Sequence, residues 1–187
     1  MDDVARLDTL NAIQADITTL KVDAIVNAAN SALAGGGGVD GAIHAAAGPT
    51  VLDECQRIII EQGLCPPGSA VVTGSGNLPA KWIIHTVGPI WDQHGPEESA
   101  SLLSDCYTSS LDAAANMGAT STAFSAISTG VYGFPKELAA PIAVAAVAGW
   151  FQENVDRSTM MAVTLVCFDA YNFHLTQQSI SDLDHRE

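Results

Sequence analysis

Residues 24–44, AIVNAANSALAGGGGVDGAIH, contain signals for a strand, a turn and a helix in direct succession. The residues of Ala24–Ala28 are mostly small or β-branched, which predicts a strand buried on both faces. Four glycines follow, and the segment Val39–Ala47 is predicted to be a helix. A glycine-rich turn between a strand and a helix is typical of α/β units, and its backbone can approach a bound phosphate closely.

Strand-like and helical segments alternate through the rest of the sequence. Further strands are predicted at Leu10–Gln14, Ala70–Thr73, Trp82–Val87, Thr122–Ile127 and Ala162–Phe168. Further helices are predicted at Thr50–Gln62, Glu97–Asn116, from about Leu138 to Asn154 (since Pro135 and Pro141 suit early helical positions), and from about Asn172 to Leu183. This alternation predicts an α/β fold whose largely parallel sheet is covered by helices on both faces. Ligands of such folds bind where strands end and loops run into helices.

Composition and charge restrict the class of protein. Hydrophobic residues make up 48% of the 187 residues and charged residues only 15%, which predicts a folded chain. No repeat or linker divides it, so one domain over residues 1–187 is expected. Four scattered cysteines, and no secretory signal at Met1–Val4, predict a reduced, cytoplasmic protein. The net charge of −14 argues against direct nucleic-acid binding and against anionic membranes.

The glycine loop matches a known phosphate-binding pattern, Gly36-x-Gly38-x-x-Gly41. The pattern alone is weak, and a flexible glycine hinge is the alternative. A dinucleotide-binding unit of the Rossmann type would add a strand soon after the helix, with an acidic residue at its end. Here a second helix intervenes and the next strand begins near Ala70, which disfavours a hydride-transferring dehydrogenase.

A second turn-rich segment, Ser128–Phe134, also precedes a helix. An ordinary tight turn is the alternative interpretation. Neither residues 22–56 nor residues 117–135 contain a lysine or arginine. A diphosphate bound at these two loops would therefore be held by backbone amides and helix dipoles rather than by side-chain cations.

Taken together, these segments resemble the macrodomain family and, within it, the MacroD-like hydrolases. The matching stretches, in family order, are Asp16–Thr18, Val26–Ser31, Gly35–His44, His85–Pro89, Ile127–Gly133 and Cys167–Asp169. Two positions depart from the family pattern: Ala15 stands where glycine is common, and Pro141 falls inside a helix that is usually regular.

The resemblance implies a three-layer α/β/α macrodomain fold with a mixed, largely parallel central sheet, and ADP-ribose in a cleft across the strand ends. It implies an adenine site at Asp16, Ile17 and Phe168, although a turn cap and core packing are the simpler roles for Asp16 and Phe168. The diphosphate would contact Gly36, Gly37, Gly38, Val39, Ser128, Thr129, Gly130, Val131 and Tyr132. Tyr132 and Phe134 would flank the distal ribose.

The resemblance also implies that Asn30 and Asp40 carry the chemistry, by orienting the distal ribose and the attacking water. From the bare sequence, Asn30 is a turn residue and Asp40 an acid favoured by a helix dipole. Asn27 is expected to stabilise the loop from inside, and His44 to serve structure. Neither a cofactor nor a metal site is proposed, because the histidines and cysteines lack metal-ligand spacing.

The implied reaction is hydrolysis of acyl esters on the distal ribose. Substrates would be O-acetyl-ADP-ribose and mono-ADP-ribose attached to Asp or Glu side chains. Two alternatives stay open at this point. One is a module that binds ADP-ribose without turnover, and the other is a regulatory protein that acts through a protein or RNA partner.

Overall fold

A computed structural model describes residues 9–158 and 161–185. The expectation for Met1–Val4, that no secretory signal is present, concerns residues outside these ranges. The strands are β1 (Leu10–Gln14), β2 (Ala24–Ala29), β3 (Ala70–Gly74), β4 (Trp82–Val87), β5 (Ser121–Phe124) and β6 (Ala162–Cys167). The helices are α1 (Gly38–Ala47), α2 (Pro49–Gln62), α3 (Pro96–Asn116), α4 (Lys136–Glu153), α5 (Val155–Ser158) and α6 (Ala170–Asp184).

The strands form one mixed sheet in the order β1-β6-β5-β2-β4-β3. Every neighbouring pair is parallel except β3 and β4, which are antiparallel. Alternate residues of β2 point to opposite faces, so that Ala24 and Val26 belong to one apolar core while Ile25 and Ala29 belong to another. Helices α3, α4 and α6 cover the first face, and α1 and α2 cover the second. This is the three-layer α/β/α arrangement predicted from the sequence.

Two boundaries differ from the sequence prediction. Strand β5 ends at Phe124 rather than Ile127. The Ser125 amide makes the last backbone bond of the ladder, to the Val26 carbonyl, and the Ser125 hydroxyl donates to the same oxygen. Helix α4 begins at Lys136, before the expected start near Leu138. Pro135 is its N-cap residue, and its carbonyl accepts from the amides of Leu138 and Ala139. Pro141 therefore lies inside the helix.

The parallel strands β1, β6, β5 and β2 deliver four loops to the same edge of the sheet, since parallel strands share their carboxyl end. These loops carry Asp16, Phe168, Ser128 and Asn30. Within the described residues, none of the helices is both long enough and apolar enough to span a bilayer.

Candidate functional site

Hydrogen bonds from the side chain of Asn30 stabilise the conformation of the glycine loop after β2. Its Nδ2 donates to the Gly35 carbonyl at 2.8 Å, and its Oδ1 accepts from the Ala34 amide at 3.2 Å. Gly36, Gly37 and Gly38 are exposed, and Gly37 is the N-cap residue of α1. The first amides of a helix lack carbonyl partners within it. The loop therefore presents free N–H donors and the positive end of a helix dipole to solvent.

Asp40 lies in the first turn of α1, directly below these amides. It is only 6% exposed, and its Oδ1 accepts from Asn27 Nδ2 at 2.7 Å. His44 Nε2 is 3.4 Å from the same oxygen but is not aligned for a hydrogen bond. A buried carboxylate with one oxygen held from below can direct the other toward a ligand above it.

The loop after β5 is held in an uncommon conformation. Ser128 is 6% exposed and has a φ of 61°, a left-handed value that non-glycine residues seldom adopt. The Ser128 carbonyl accepts from the Phe134 amide at 3.0 Å, and the Tyr132 carbonyl accepts from the Trp91 amide at 2.9 Å. Val131, at the loop tip, is 98% exposed. Backbone strain of this kind concentrates at functional sites, which favours the binding interpretation over an ordinary turn.

The two loops face each other across the ends of the neighbouring strands β2 and β5. Partial burial raises the pKa of the Tyr132 phenol, and the nearby Asp40 carboxylate raises it further. Tyr132 of the second loop is thus within electrostatic range of Asp40 of the first. Both loops lie in segments without lysine or arginine, so neither supplies a side-chain cation.

The expected adenine residues meet at the adjacent strand ends of β1 and β6. The Ala15 amide donates to the Cys167 carbonyl at 3.1 Å, which places Asp16 beside Phe168. Asp16 Oδ1 accepts from the hydroxyl of Thr18 at 2.7 Å and from its amide at 2.9 Å, and these bonds lower the pKa of Asp16. Ile17 is buried, whereas the Phe168 ring is 85% exposed. Core packing is therefore excluded for Phe168, and its ring is open to a stacking ligand.

Phe134 has a different environment from the one expected beside a ribose. Its side chain is 2% exposed and packs on Trp91, with ring centroids 4.7 Å apart. In this position the ring supports the second loop from below. A contact with the distal ribose stays a prediction for Phe134, while Tyr132 remains half-buried beside the cleft.

A buried polar cluster below Asp40 was not singled out from the sequence. His44, Cys55 and His85 each offer a possible metal-ligand atom, and these atoms lie within 4.8 Å of one another. Both ring nitrogens of His85, however, have hydrogen-bonding partners, Asn27 and Thr73. Burial and the charge of Asp40 raise the pKa of the Cys55 thiol to about 11, so it is protonated near neutral pH. We assign the cluster to the support of Asp40 rather than to a metal.

Comparison with known proteins identifies the family to which the chain belongs. A profile described as Macro domain matches residues 26–143, which is more than half of the chain. The chain belongs to the macrodomain family. The resemblance inferred from the sequence motifs is thereby confirmed.

This macrodomain is 52% identical over 172 residues to a macro domain-containing protein of Listeria monocytogenes, with 92% of this chain and 97% of the relative covered. It is 50% identical over 173 residues to the O-acetyl-ADP-ribose deacetylase of Escherichia coli, covering 92% of this chain and 95% of that enzyme. Among solved structures, a variant of the Oceanobacillus iheyensis macrodomain with ADPR gives a TM-score of 0.87 at 39% identity, and 94% of each chain is covered.

Proposed function

We propose that this macrodomain binds ADP-ribose and hydrolyses acyl esters on its distal ribose, with O-acetyl-ADP-ribose as a substrate. The observation that carries the proposal is a buried carboxylate, Asp40, positioned beneath exposed backbone amides at the start of α1. The amides provide an anion site, and the carboxylate lies next to it, where a water molecule can be activated. The relative of Escherichia coli that shares half of its sequence is named for this activity.

In the proposed complex, the adenine stacks on Phe168 and its exocyclic amine donates to Asp16. The Ile17 amide faces the adenine ring. The diphosphate lies between the amides of Gly36–Val39 and those of Ser128–Tyr132. This orientation follows the sheet edge from β1 to β2 and brings the distal ribose to Asn30 and Asp40. It would allow an anion to bind to a protein with a net charge of −14, because the local field comes from amides and a helix dipole.

The proposed reaction needs no covalent enzyme intermediate. A water molecule held at Asp40 loses a proton as its oxygen attacks the ester carbonyl carbon. The bond between that carbon and the ribose oxygen then breaks, the proton removed from the water passes to the ribose oxygen, and ADP-ribose and a carboxylic acid are released. Asn30 already uses one N–H and one oxygen lone pair within the loop. Its second N–H and second lone pair are available to the ribose hydroxyls.

The direct test is to incubate the protein with O-acetyl-ADP-ribose and to follow the release of acetate. Calorimetric titration with ADP-ribose in parallel separates binding from turnover. Acetate release together with ADP-ribose binding would support the proposal. Binding without turnover would instead identify a recognition module, and an absence of binding would reject the proposed site altogether.

Protein-linked mono-ADP-ribose is the second proposed substrate class. An Asp or Glu side chain attached to the ribose forms the same kind of ester, and the exposed loop tip at Val131 leaves the cleft open toward solvent. Release of ADP-ribose from a protein modified on glutamate, but not from one modified through arginine, is the expected result. A cytoplasmic location is part of this proposal, and the buried, unpaired state of all four cysteines is compatible with it.

Replacing Phe168 with alanine is expected to weaken ADP-ribose binding roughly 5-fold to 100-fold, the range that loss of one base–aromatic stack gives. The melting temperature should hardly change, because the ring is 85% exposed. Calorimetry of Phe168→Ala and Phe168→Trp measures the effect, and the tryptophan variant should retain affinity. Ile60→Ala is the matched control, since Ile60 is 83% exposed on α2. Equal affinities for all four proteins would remove Phe168 from the site.

Replacing Asn30 with alanine is expected to lower kcat by about tenfold or more, and to weaken ADP-ribose binding by less, because orientation of the ribose is lost. Steady-state kinetics and calorimetry on the same preparation give the two numbers. Asn30→Asp is the informative companion. It keeps the oxygen that accepts from Ala34 and removes the donor to Gly35. Equal losses of turnover and affinity would mean that Asn30 serves binding alone.

A further inference from the structure

Three buried polar side chains lie side by side on adjacent strands beneath Asp40. Asn27 of β2 is directly opposite His85 of β4 in the sheet register, and Thr73 lies on β3, the strand on the other side of β4. Asn27 and His85 have no exposed surface, and Thr73 is 3% exposed. The side chains lie on the sheet face that α1 and α2 cover. We call them the Thr73–His85–Asn27 chain.

One set of donor and acceptor roles fits every hydrogen bond of this chain, and it starts from Asn27, whose Nδ2 donates to the Asp40 carboxylate. When the Thr73 hydroxyl donates to the Gly74 carbonyl at 2.9 Å, Thr73 Oγ1 accepts from His85 Nε2, also at 2.9 Å. Burial lowers the pKa of His85 to about 3, and the ring is therefore neutral. A neutral ring protonated at Nε2 leaves Nδ1 as an acceptor.

The acceptor at His85 Nδ1 determines how the amide of Asn27 is oriented. Asn27 Nδ2 lies 3.1 Å from that nitrogen and 2.7 Å from Asp40 Oδ1, so it donates one hydrogen to each. Asn27 Oδ1 has no hydrogen-bond partner among the described residues. Nothing on the oxygen side holds the amide in place. Its orientation depends on the two acceptors, His85 and Asp40.

We propose that Thr73 and His85 are positioning residues for the reaction, which act on Asp40 through Asn27. With the opposite tautomer, protonated at Nδ1, His85 would require the Asn27 oxygen instead. That rotation would turn Oδ1 toward the Asp40 carboxylate and remove the donor that holds it. Thr73 favours the His85 tautomer that is protonated at Nε2. That tautomer favours the orientation of the Asn27 amide in which Nδ2 faces His85, and the same Nδ2 holds the Asp40 carboxylate in place. The effect on turnover rests on the proposed hydrolase function.

The chain offers a nearly isosteric test at Thr73. Thr73→Val removes the oxygen that accepts from His85 Nε2, and Thr73→Ser restores it. Thr86→Val is the matched control: Thr86 is a buried threonine of β4 that donates to the Ser69 carbonyl at 2.9 Å. It follows His85 along the strand, so its side chain points to the opposite face. Both valine variants lose buried hydrogen bonds, Thr73→Val those with the Gly74 carbonyl and His85 Nε2 and Thr86→Val the one to the Ser69 carbonyl, but only Thr73→Val disturbs the chain.

The expected result is a kcat for Thr73→Val that is lower by roughly threefold to tenfold, the change that the free energy of one neutral hydrogen bond gives. KM and the Kd of ADP-ribose should stay unchanged. Thr73→Ser should recover the wild-type kcat. Thr86→Val should also be destabilised in thermal unfolding, because it loses a buried hydrogen bond, yet it should keep its kcat per folded molecule. A kcat loss shared equally by the two valine variants would overturn the proposal.

A spectroscopic readout tests the chain without substrate. In protein labelled with nitrogen-15 in histidine, the buried His85 ring should show a protonated Nε2 and a bare Nδ1, and it should not titrate near neutral pH. Thr73→Val should give a mixture of the two tautomers, and Thr86→Val should give the wild-type spectrum. A wild-type His85 protonated at Nδ1 would reject the chain. If the wild type fails to release acetate, the proposed hydrolysis is rejected, and this spectrum still decides the hydrogen-bond directions.

Discussion

Replacing Asp40 with alanine should lower kcat for O-acetyl-ADP-ribose by roughly 10²–10⁴-fold, the contribution of a positioned general base. ADP-ribose should still bind, because the loop amides above Asp40 belong to the backbone and are fastened by Asn30. Acetate release under saturating substrate measures the first effect, and calorimetry measures the second. A variant with near wild-type kcat would exclude Asp40 from the chemistry.

Asp40→Asn distinguishes proton transfer from simple positioning of the water. Its amide oxygen can still accept from Asn27 Nδ2, as Asp40 Oδ1 does at 2.7 Å, so the local geometry is preserved while the negative charge is lost. If Asp40 takes the proton, the asparagine variant should be as slow as the alanine variant. Retention of most of the activity would show that Asp40 only orients the water and that another base is used.

Replacing Gly41 with alanine should abolish most ADP-ribose affinity, with an expected rise in Kd of roughly 10-fold to 100-fold. A Cβ at this position would lie 2.4 Å from the carbonyl oxygen of Gly36. The obstacle is backbone rather than a flexible side chain, so the glycine loop itself has to shift. Each backbone amide lost from a charged ligand costs about 1.5–3 kcal/mol. Calorimetric titration with ADP-ribose measures the change.

Gly149→Ala is the matched control for this experiment. Gly149 lies within α4, and a Cβ there would meet no atom within 4 Å. Alanine is favoured over glycine in a helix by about 1 kcal/mol, so this variant should melt at a slightly higher temperature and bind normally. A Gly41→Ala protein that binds as well as Gly149→Ala would show that the course of the glycine loop does not determine affinity.

The fold could be predicted from the sequence to within a few residues, because each strand is a short apolar run bounded by turn residues. The errors lie where tertiary contacts override local preference. Strand β5 ends early at Phe124, and the Ser125 hydroxyl that follows donates to the Val26 carbonyl of the neighbouring strand, a contact that local sequence does not indicate. Helix α4 tolerates Pro141 in its interior, where its packing against α3 and α6 stabilises a conformation that proline disfavours.

The candidate site could be predicted only in part. The exposed glycines and the acid at the start of α1 follow from local sequence, whereas their role in binding and hydrolysis stays a prediction. The supporting residues could not be predicted in the same way. Thr73 and His85 are 12 positions apart and contact each other only through the antiparallel pairing of β3 with β4. A lone buried histidine in a strand carries no signal of its partner.

A binding surface made of main-chain groups has consequences for how such a protein can diverge. Every amino acid except proline carries the same peptide N–H, so exchanging residues along the two loops leaves the donors chemically alike and alters only their direction. Selection for weaker or stronger nucleotide binding would then act on residues that set the backbone conformation of the two loops. Leu33 and Ser128, which have positive φ angles, are examples. At the proposed site, nucleotide affinity would therefore depend on backbone conformation more than on the identity of the exposed side chains.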